Sequence, residues 1–341
     1  MWNKDGYPFI IAEMSGNHNQ SLERALAIVD AAADAGVDAV KIQTYTADTM
    51  TIDIDTGEFS ISDKDSLWKG ETLYHLYEKA HTPWEWHTVI FERCKERGIM
   101  GFSTPFDDTS VDFLEDLGVP CYKIASFENV DLPLIRKVAR TGKPIIASTG
   151  MTTVAELSDL VRTVRENGCT DLTLLKCTSS YPASPEGTNL RTIPHMRELF
   201  GCAVGLSDHT LGIGAAVASV ALGAAVIEKH FTLSRAEGGV DAAFSLEPAE
   251  MAQLVQECRT AALALGAVSY ERAEQEQKSL QFRRSLYVVE DMKAGDVFTE
   301  KNLRRIRPGM GLSPKYYDII LGKKVNHDIT RGTPVQWNLI E

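Results

Sequence analysis

Two histidines follow apolar runs near the centre of the chain. His209 ends a run that starts at Cys202, and His230 ends one that starts at Ala224. The stretch between them, 211–223, is rich in alanine and has the length of one helix. The ends of neighbouring parallel strands lie side by side, so the two imidazoles would face one ligand. This placement suits a divalent metal ion with positions left open for substrate oxygen atoms.

Polar residues also stand at the ends of the other apolar runs. Charges inside apolar strands are costly unless they meet a partner, so we expect these residues to line one site. Lys41 and Lys123 are the clearest cases, and with nearby hydroxyl groups they would hold a phosphate and a carboxylate. The whole set is Glu13, Lys41, Gln43, Ser103, Thr104, Lys123, Ser126, Glu128, Ser148, Lys176, Ser207, Asp208, His209, Lys229 and His230.

Each of these residues has a structural alternative. A single lysine in a strand can form an ion pair inside a barrel, and a single histidine at a strand end is usually a hydrogen-bonded core residue. The pairs Lys41 with Lys123 and His209 with His230 favour the functional interpretation. A Schiff-base aldolase with one nucleophilic lysine is an alternative, but the sequence singles out no such lysine.

The elements that would position these side chains follow a strand–helix rhythm. Eight strands, each followed by a helix, predict a (β/α)8 TIM barrel in the α/β class. A doubly wound sheet is the rival, but no Gly-x-Gly-x-x-Gly follows the first strand. The predicted strands are 9–13, 39–43, 100–103, 121–125, 144–148, 172–176, 203–206 and 225–230. The predicted helices are 22–35, 84–97, 110–117, 132–140, 154–167, 193–200, 212–222 and 248–265.

The pattern changes after Gly266, and we predict three parts. Residues 1–266 form the catalytic barrel, 267–281 a polar linker, and 282–341 a small, mostly β domain.

The net charge of −12 with no basic cluster argues against nucleic acid as a partner. Six scattered cysteines indicate free thiols and a cytoplasmic protein. We expect no signal peptide and no membrane segment.

Seven motifs together resemble the sialic acid synthase family over essentially the whole chain. The segment 282–341, with RPG at 307–309 and GKK at 322–324, resembles the antifreeze-like (SAF) domain of that family. The motifs are AEMSGNHN (12–19), VKIQT (40–44), STPF (103–106), YKIASFE (122–128), STGM (148–151), GLSDHT (205–210) and EKHFT (228–232).

Finer features are similar to the pseudaminic acid synthase branch of the family. They are EMSGNHN (13–19), QTYTADTMT (43–51) and FRRSLY (282–287). N-acetylneuraminic acid synthases tend to have Asn where this chain has Ser179, which removes one expected contact to phosphate. The branch implies condensation of phosphoenolpyruvate and water with 2,4-diacetamido-2,4,6-trideoxy-altrose, giving pseudaminic acid and phosphate.

The resemblance also implies roles for individual residues. His209 and His230 would ligate the metal, Mn²⁺ or alternatively Mg²⁺ or Co²⁺, and Glu13 or Asp241 would transfer protons. Arg284 would reach the sugar in the partner subunit of a domain-swapped homodimer. Phosphoenolpyruvate would be bound by Lys41, Thr104, Lys123, Ser126, Ser148 and Ser207. The sugar would be bound by Glu13, Gln43, Glu128, Tyr181, Asp241 and Arg284.

Two other functions stay open. An N-acetylneuraminic or legionaminic acid synthase would use the same chemistry on a different amino sugar. A non-catalytic sugar-binding protein would use the small domain for recognition, but it would not need paired lysines beside paired histidines.

Overall fold

The computed structural model describes residues 2, 6–63 and 66–341. They divide into two compact units, Met1–Gly266 and Ala267–Glu341. No helix of the described residues is both long and apolar enough to cross a bilayer.

Eight parallel strands close into a barrel in chain order, with the last strand pairing with the first. The predicted TIM barrel is therefore confirmed. Apolar β-branched and aliphatic runs form these strands because both faces of each strand are buried. The strands are β1 Phe9–Glu13, β2 Ala39–Thr44, β3 Met100–Pro105, β4 Tyr122–Ile124, β5 Ile145–Ser148, β6 Leu172–Cys177, β7 Ala203–Asp208 and β8 Val226–His230.

Helices surround the barrel, and several begin at the polar caps that the sequence supplies. Thr153 and Glu156 form a reciprocal capping box at one start, and Asp107 with Ser110 forms another. The helices of this unit are α1 Leu22–Asp34, α2 Ala47–Met50, α3 Leu73–Ala80, α4 His87–Glu96, α5 Asp108–Asp116, α6 Leu132–Arg140, α7 Val154–Glu166, α8 Thr192–Phe200, α9 Gly214–Ala221 and α10 Pro248–Leu265. Helices α2 and α3 had no counterpart in the predicted set.

Two apolar cores lie on opposite faces of the barrel wall. The larger core packs the strands against the helices. The smaller core fills the barrel interior, and its members include Ile11, Ala39, Phe102, Cys121, Ile146, Leu175 and Val226. Side chains alternate between the two faces along each strand, so these interior residues define which later residues point inward.

The second unit has its own apolar core around Leu286, Val288 and Phe298. It begins with a polar stretch in which Glu274–Phe282 is a 3-10 helix. Strands β9 Ser285–Val288 and β10 Leu303–Ile306 then pair antiparallel, and the short helix α11 spans Tyr317–Ile320.

Candidate functional site

A polar layer lies directly above the interior apolar core. Each strand contributes one inward residue, placed two positions after an interior apolar residue or glycine, because side chains alternate with period two. Six of the eight were predicted from the sequence as site residues. The layer consists of Glu13, Lys41, Thr104, Lys123, Ser148, Cys177, Ser207 and Glu228, all buried.

Opposite charges neutralise one another within this layer. Lys41 forms an ion pair with Glu13 and lies 3.9 Å from a carboxylate oxygen of Glu228. Lys123 Nζ lies 3.4 Å from the other oxygen of Glu228. Glu228 therefore bridges the two lysines that the sequence singled out.

Hydroxyl groups complete the contacts of both lysines. Lys41 Nζ donates to Thr104 Oγ1 at 3.1 Å, and Lys123 Nζ donates to Ser148 Oγ at 2.7 Å. Ser207 Oγ donates to Glu228 Oε1 at 3.0 Å. The predicted phosphoenolpyruvate residues of five strands thus meet in one network, which has the donors needed to bind an anion.

The environment separates the pKa values of the two carboxyl groups. Burial, assisted by the charge of Glu228, raises the pKa of Glu13 despite the ion pair with Lys41. Burial opposes ionisation of Glu228 as well, but the charges of Lys123 and Lys41 outweigh it and lower the pKa of Glu228. Glu13 is therefore the carboxyl group that holds a proton more readily.

The two histidines lie next to each other at the barrel mouth. Their ring centroids are 5.3 Å apart. His209 Nδ1 donates to the carbonyl oxygen of Thr178 at 3.0 Å and lies 3.8 Å from Cys177 Sγ. Donation from Nδ1 to a carbonyl is the usual arrangement behind a metal-binding imidazole.

The surroundings of His230 fit a bound cation. Its Nδ1 is buried and has no hydrogen bond within the described residues, and it lies 3.8 Å from Asp241 Oδ2. Burial, followed by the charges of His209 and Lys41, holds the pKa of His230 well below its usual range. A neutral imidazole with an unused nitrogen is a suitable ligand.

No group of three or more His, Cys, Asp or Glu side chains suited to hold a metal occurs in the part of the chain that the structure describes. An ion bound at this mouth would take its protein ligands from His209 and His230, with further positions for water or substrate oxygen.

Four of the predicted sugar residues lie around the same mouth: Glu13, Gln43, Tyr181 and Asp241. Gln43 Nε2 donates to Glu13 Oε1 at 2.9 Å, and Ser15 donates to the carboxylate of Asp241. The ring centroid of Tyr181 lies 4.5 Å from that of His209. Burial raises the pKa of Asp241 despite its bond with Ser15.

Two other predicted residues follow β4 in the chain. Ser126 Oγ accepts a hydrogen bond from Gly150 N at 3.1 Å, which places it beside the loop after β5. Glu128 is half-buried, and burial raises its pKa to about 7. Its Oε2 atom is buried without a hydrogen bond to any described residue.

Some polar residues at the strand ends do not face the mouth, and for them the expectation was wrong. Period two places Ser103, Lys176, Asp208 and Lys229 on the outer face of the wall, where Lys229 pairs with Asp208 at 2.7 Å.

Arg284 belongs to the second unit, where it is exposed and donates to the carbonyl oxygen of Arg305 at 2.9 Å.

The sequence analysis missed Glu228 and Cys177 as members of the polar layer. Each is preceded two positions earlier by an interior apolar residue, Val226 or Leu175. Counting in steps of two from the interior core would have found both.

Comparisons with known proteins agree with this architecture. The NeuB family profile matches residues 28–270, and the SAF domain profile matches residues 283–341. The chain is 46% identical over 331 residues to pseudaminic acid synthase of Campylobacter jejuni, covering 97% of this chain and 96% of the relative. It is 42% identical over 338 residues to pseudaminic acid synthase of Helicobacter pylori, covering 98% of each.

A solved structure of a sialic acid synthetase is also similar. The N-acetylneuraminic acid synthetase from Leptospira borgpetersenii has 32% sequence identity and a TM-score of 0.71, covering 82% of this chain and 92% of that one.

Proposed function

Because the chain belongs to the NeuB family, we propose that it condenses phosphoenolpyruvate, 2,4-diacetamido-2,4,6-trideoxy-altrose and water to give pseudaminic acid and phosphate. Synthesis of pseudaminic acid is the activity named for the Campylobacter and Helicobacter relatives. The observation that carries the proposal is that the polar layer with Lys41 and Lys123 lies directly below the mouth at which His209 and His230 meet.

Phosphoenolpyruvate binds to the polar layer in this proposal. Lys41 and Lys123 supply two compact positive charges, and their hydroxyl partners supply further donors. These contacts are preorganised by the strands, so they need little rearrangement when the anion enters. The full set of binding residues is Lys41, Thr104, Lys123, Ser126, Ser148 and Ser207.

The chemistry joins the enol carbon C3 of phosphoenolpyruvate to the aldehyde carbon of the open-chain sugar. Water adds at C2, and the bond between C2 and the phosphate oxygen breaks. A divalent ion held by His209 and His230, for which we propose Mn²⁺ with Mg²⁺ or Co²⁺ as alternatives, would supply charge that polarises the aldehyde. The protein contributes positioning and charge, with no covalent nucleophile.

Proton transfer falls to carboxyl groups at the mouth. Burial raises the pKa of both Glu13 and Asp241, so each holds a proton more readily than an exposed carboxyl group. Glu13 is adjacent to His230 in the sheet register, and Asp241 lies beside the same ring. Either group would therefore serve the oxygen of the reacting aldehyde, while Gln43, Glu128 and Tyr181 hold the sugar.

A domain-swapped homodimer is part of the proposal. Four apolar side chains are exposed after β4 and β5, three on the loops and Val154 at the first position of α7: Phe127 at 60%, Val130 at 54%, Met151 at 63% and Val154 at 58%. A surface of this kind favours burial against a partner. We propose that the second unit of another copy covers it and brings Arg284 to the sugar. Restored activity on mixing Arg284→Ala and His230→Ala subunits would support this arrangement.

We place the protein in the cytoplasm. All six cysteines are free thiols, and five of them are buried. A reducing compartment keeps thiols in this state.

The deciding experiment measures phosphate release from phosphoenolpyruvate with Mn²⁺ and a panel of acceptors. We expect the highest kcat/KM with the altrose derivative. A higher kcat/KM with N-acetylmannosamine or the legionaminic acid precursor would change the assigned acceptor sugar but not the reaction. If no acceptor led to phosphate release, a binding protein would be favoured. In ¹⁸O-labelled water the released phosphate should carry no label, because the C–O bond breaks.

A further inference from the structure

The connection between β2 and α4 carries a tryptophan that reaches the functional site. This connection spans residues 45–86 and includes α2 and α3. Within it, Trp68 Nε1 donates to the carbonyl oxygen of Val240 at 2.9 Å. Val240 immediately precedes Asp241, so the tryptophan holds the backbone that carries a proposed catalytic carboxyl group.

The same indole also packs towards a second site residue. The ring centroids of Trp68 and Tyr181 lie 6.0 Å apart, and Tyr181 in turn packs against His209. Phe244, in the short 3-10 helix after Asp241, completes this aromatic group. Its ring centroid lies 5.2 Å from that of Tyr181 and 4.9 Å from that of His230. Trp68 therefore contacts both chain segments that border the proposed sugar position.

The segment around Asp241 is held from two sides. On the inner side, Asn17 Oδ1 accepts a hydrogen bond from Asp241 N at 3.3 Å, and Ser15 binds the carboxylate. On the outer side, Trp68 binds Val240. A cavity of about 450 Å³ adjoins the indole, lined in part by Leu67, Leu76 and Gly239. The indole borders this open space, and its hydrogen bond to Val240 and its packing towards Tyr181 hold it in place.

We propose that Trp68 is a positioning residue for the acceptor sugar. By holding Val240 and packing against Tyr181, it fixes the Asp241 carboxylate and the Tyr181 ring on either side of the sugar. This inference rests on the proposed function, which assigns the sugar to that end of the site. Phosphoenolpyruvate binds to the polar layer below and does not depend on Trp68.

Two substitutions separate the contacts of the indole. Trp68→Phe keeps a ring beside Tyr181 and removes the N–H donor, while Trp68→Ala removes both. Trp84→Phe is the matched control, because Trp84 Nε1 also donates to a carbonyl, that of Tyr45 at 3.2 Å, from the same connection. We expect the acceptor KM to rise about tenfold in Trp68→Phe and further in Trp68→Ala, the effect of losing roughly one hydrogen bond. The KM for phosphoenolpyruvate should stay within about twofold.

Hydrogen exchange of the ligand-free protein gives a second readout. The amides of Asp241, Ala242 and Ser245 all donate hydrogen bonds near this tether. These amides should exchange about tenfold faster in Trp68→Phe than in wild type. Their exchange rates in Trp84→Phe should equal those of wild type. Unchanged exchange, or an unchanged acceptor KM in a protein that turns over, overturns the inference. Absence of turnover in wild type would instead count against the proposed function, and exchange would still decide whether Trp68 holds the segment.

Discussion

Lys229 Nζ lies 2.7 Å from Asp208 Oδ2, and each of these residues immediately precedes one of the two site histidines. The sheet register pairs the same two residues, both only 1% exposed. Lys229 also donates to the carbonyl oxygen of Thr210 at 2.6 Å. This ion pair joins β7 to β8 on the outer face at the level where the imidazoles leave the sheet, and so helps to set their separation.

Breaking this pair should destabilise the barrel and weaken metal binding. Lys229→Met leaves a buried carboxylate without its partner, and we expect the free energy of unfolding in urea to fall by about 3–5 kcal/mol. The double variant Asp208→Asn with Lys229→Met should recover much of that loss, because no charge is left unpaired. A fall of less than about 1 kcal/mol in Lys229→Met would contradict this interpretation. Calorimetric titration with Mn²⁺ tests the affinity.

Gly150→Ala should impair phosphoenolpyruvate binding without unfolding the protein. A Cβ atom at Gly150 would lie 2.1 Å from Ser179 Oγ and 2.7 Å from Ser126 Oγ, so both hydroxyl groups must move. We expect the KM for phosphoenolpyruvate to rise about tenfold, as for one lost hydrogen bond. Gly187→Ala is the control, since its Cβ would meet nothing within 4 Å. Equal KM values for phosphoenolpyruvate in Gly150→Ala and Gly187→Ala would show that displacing Ser126 and Ser179 does not affect its binding.

Glu128 should make the barrel less stable as the pH rises. Burial raises its pKa in the folded state to about 7, from the ordinary value of 4.5 for a glutamate. The folded protein binds this proton more tightly, so the stabilisation is full below about pH 4.5 and is lost as pH rises through 7. Glu128→Gln lacks this dependence, and its stability relative to wild type should increase between pH 4.5 and 8 in urea titrations. A constant difference would show that the carboxyl group titrates normally.

His87 should make the barrel less stable as the pH falls. Its ring is fully buried, with Nε2 2.8 Å from Thr44 Oγ1, and burial lowers its pKa to about 4. The unfolded chain takes up the proton first, so stability present above about pH 6.5 is lost as pH falls towards 4. His87→Gln should remove about 2 kcal/mol of the decrease between pH 7 and 5. The exposed His327 provides the control variant His327→Gln, which should leave that decrease unchanged.

Removal of the metal should abolish turnover reversibly. Treatment of wild type with a chelator is expected to stop phosphate release, and Mn²⁺ should restore it, because the two imidazoles leave positions open for substrate. His230→Ala should bind Mn²⁺ at least tenfold more weakly. Activity within about tenfold of wild type in that variant, with metal restored, would argue against the metal role.

The barrel could be predicted from local patterns because each strand is a short apolar run and most helices carry their own caps. The connection 45–86 could not, because α2 and α3 are additions to the one helix per strand that the barrel rhythm predicts. The four residues of α2 are also too few to show a helical period.

The site was predictable to the extent that it follows strand alternation. Lys41 and Lys123 stood out as charges in apolar runs. Glu228 could have been identified in the same way, as a charge two positions after Val226. The contact of Trp68 with Val240 joins residues 172 positions apart, and no local pattern indicates a partner so distant. Lys229 and Asp208 were misassigned because a strand end alone does not tell on which face a side chain points.

The apolar interior beneath the polar layer is a region of low dielectric constant. Ile11, Phe102 and Val226 are fully buried there, so among the described residues an anion above them meets solvent on the side of the mouth. Every fixed charge in the layer consequently exerts a stronger field on a guest than it would in a channel open at both ends. Access through the mouth then governs both the strength of that field and the escape of reaction intermediates to bulk solvent.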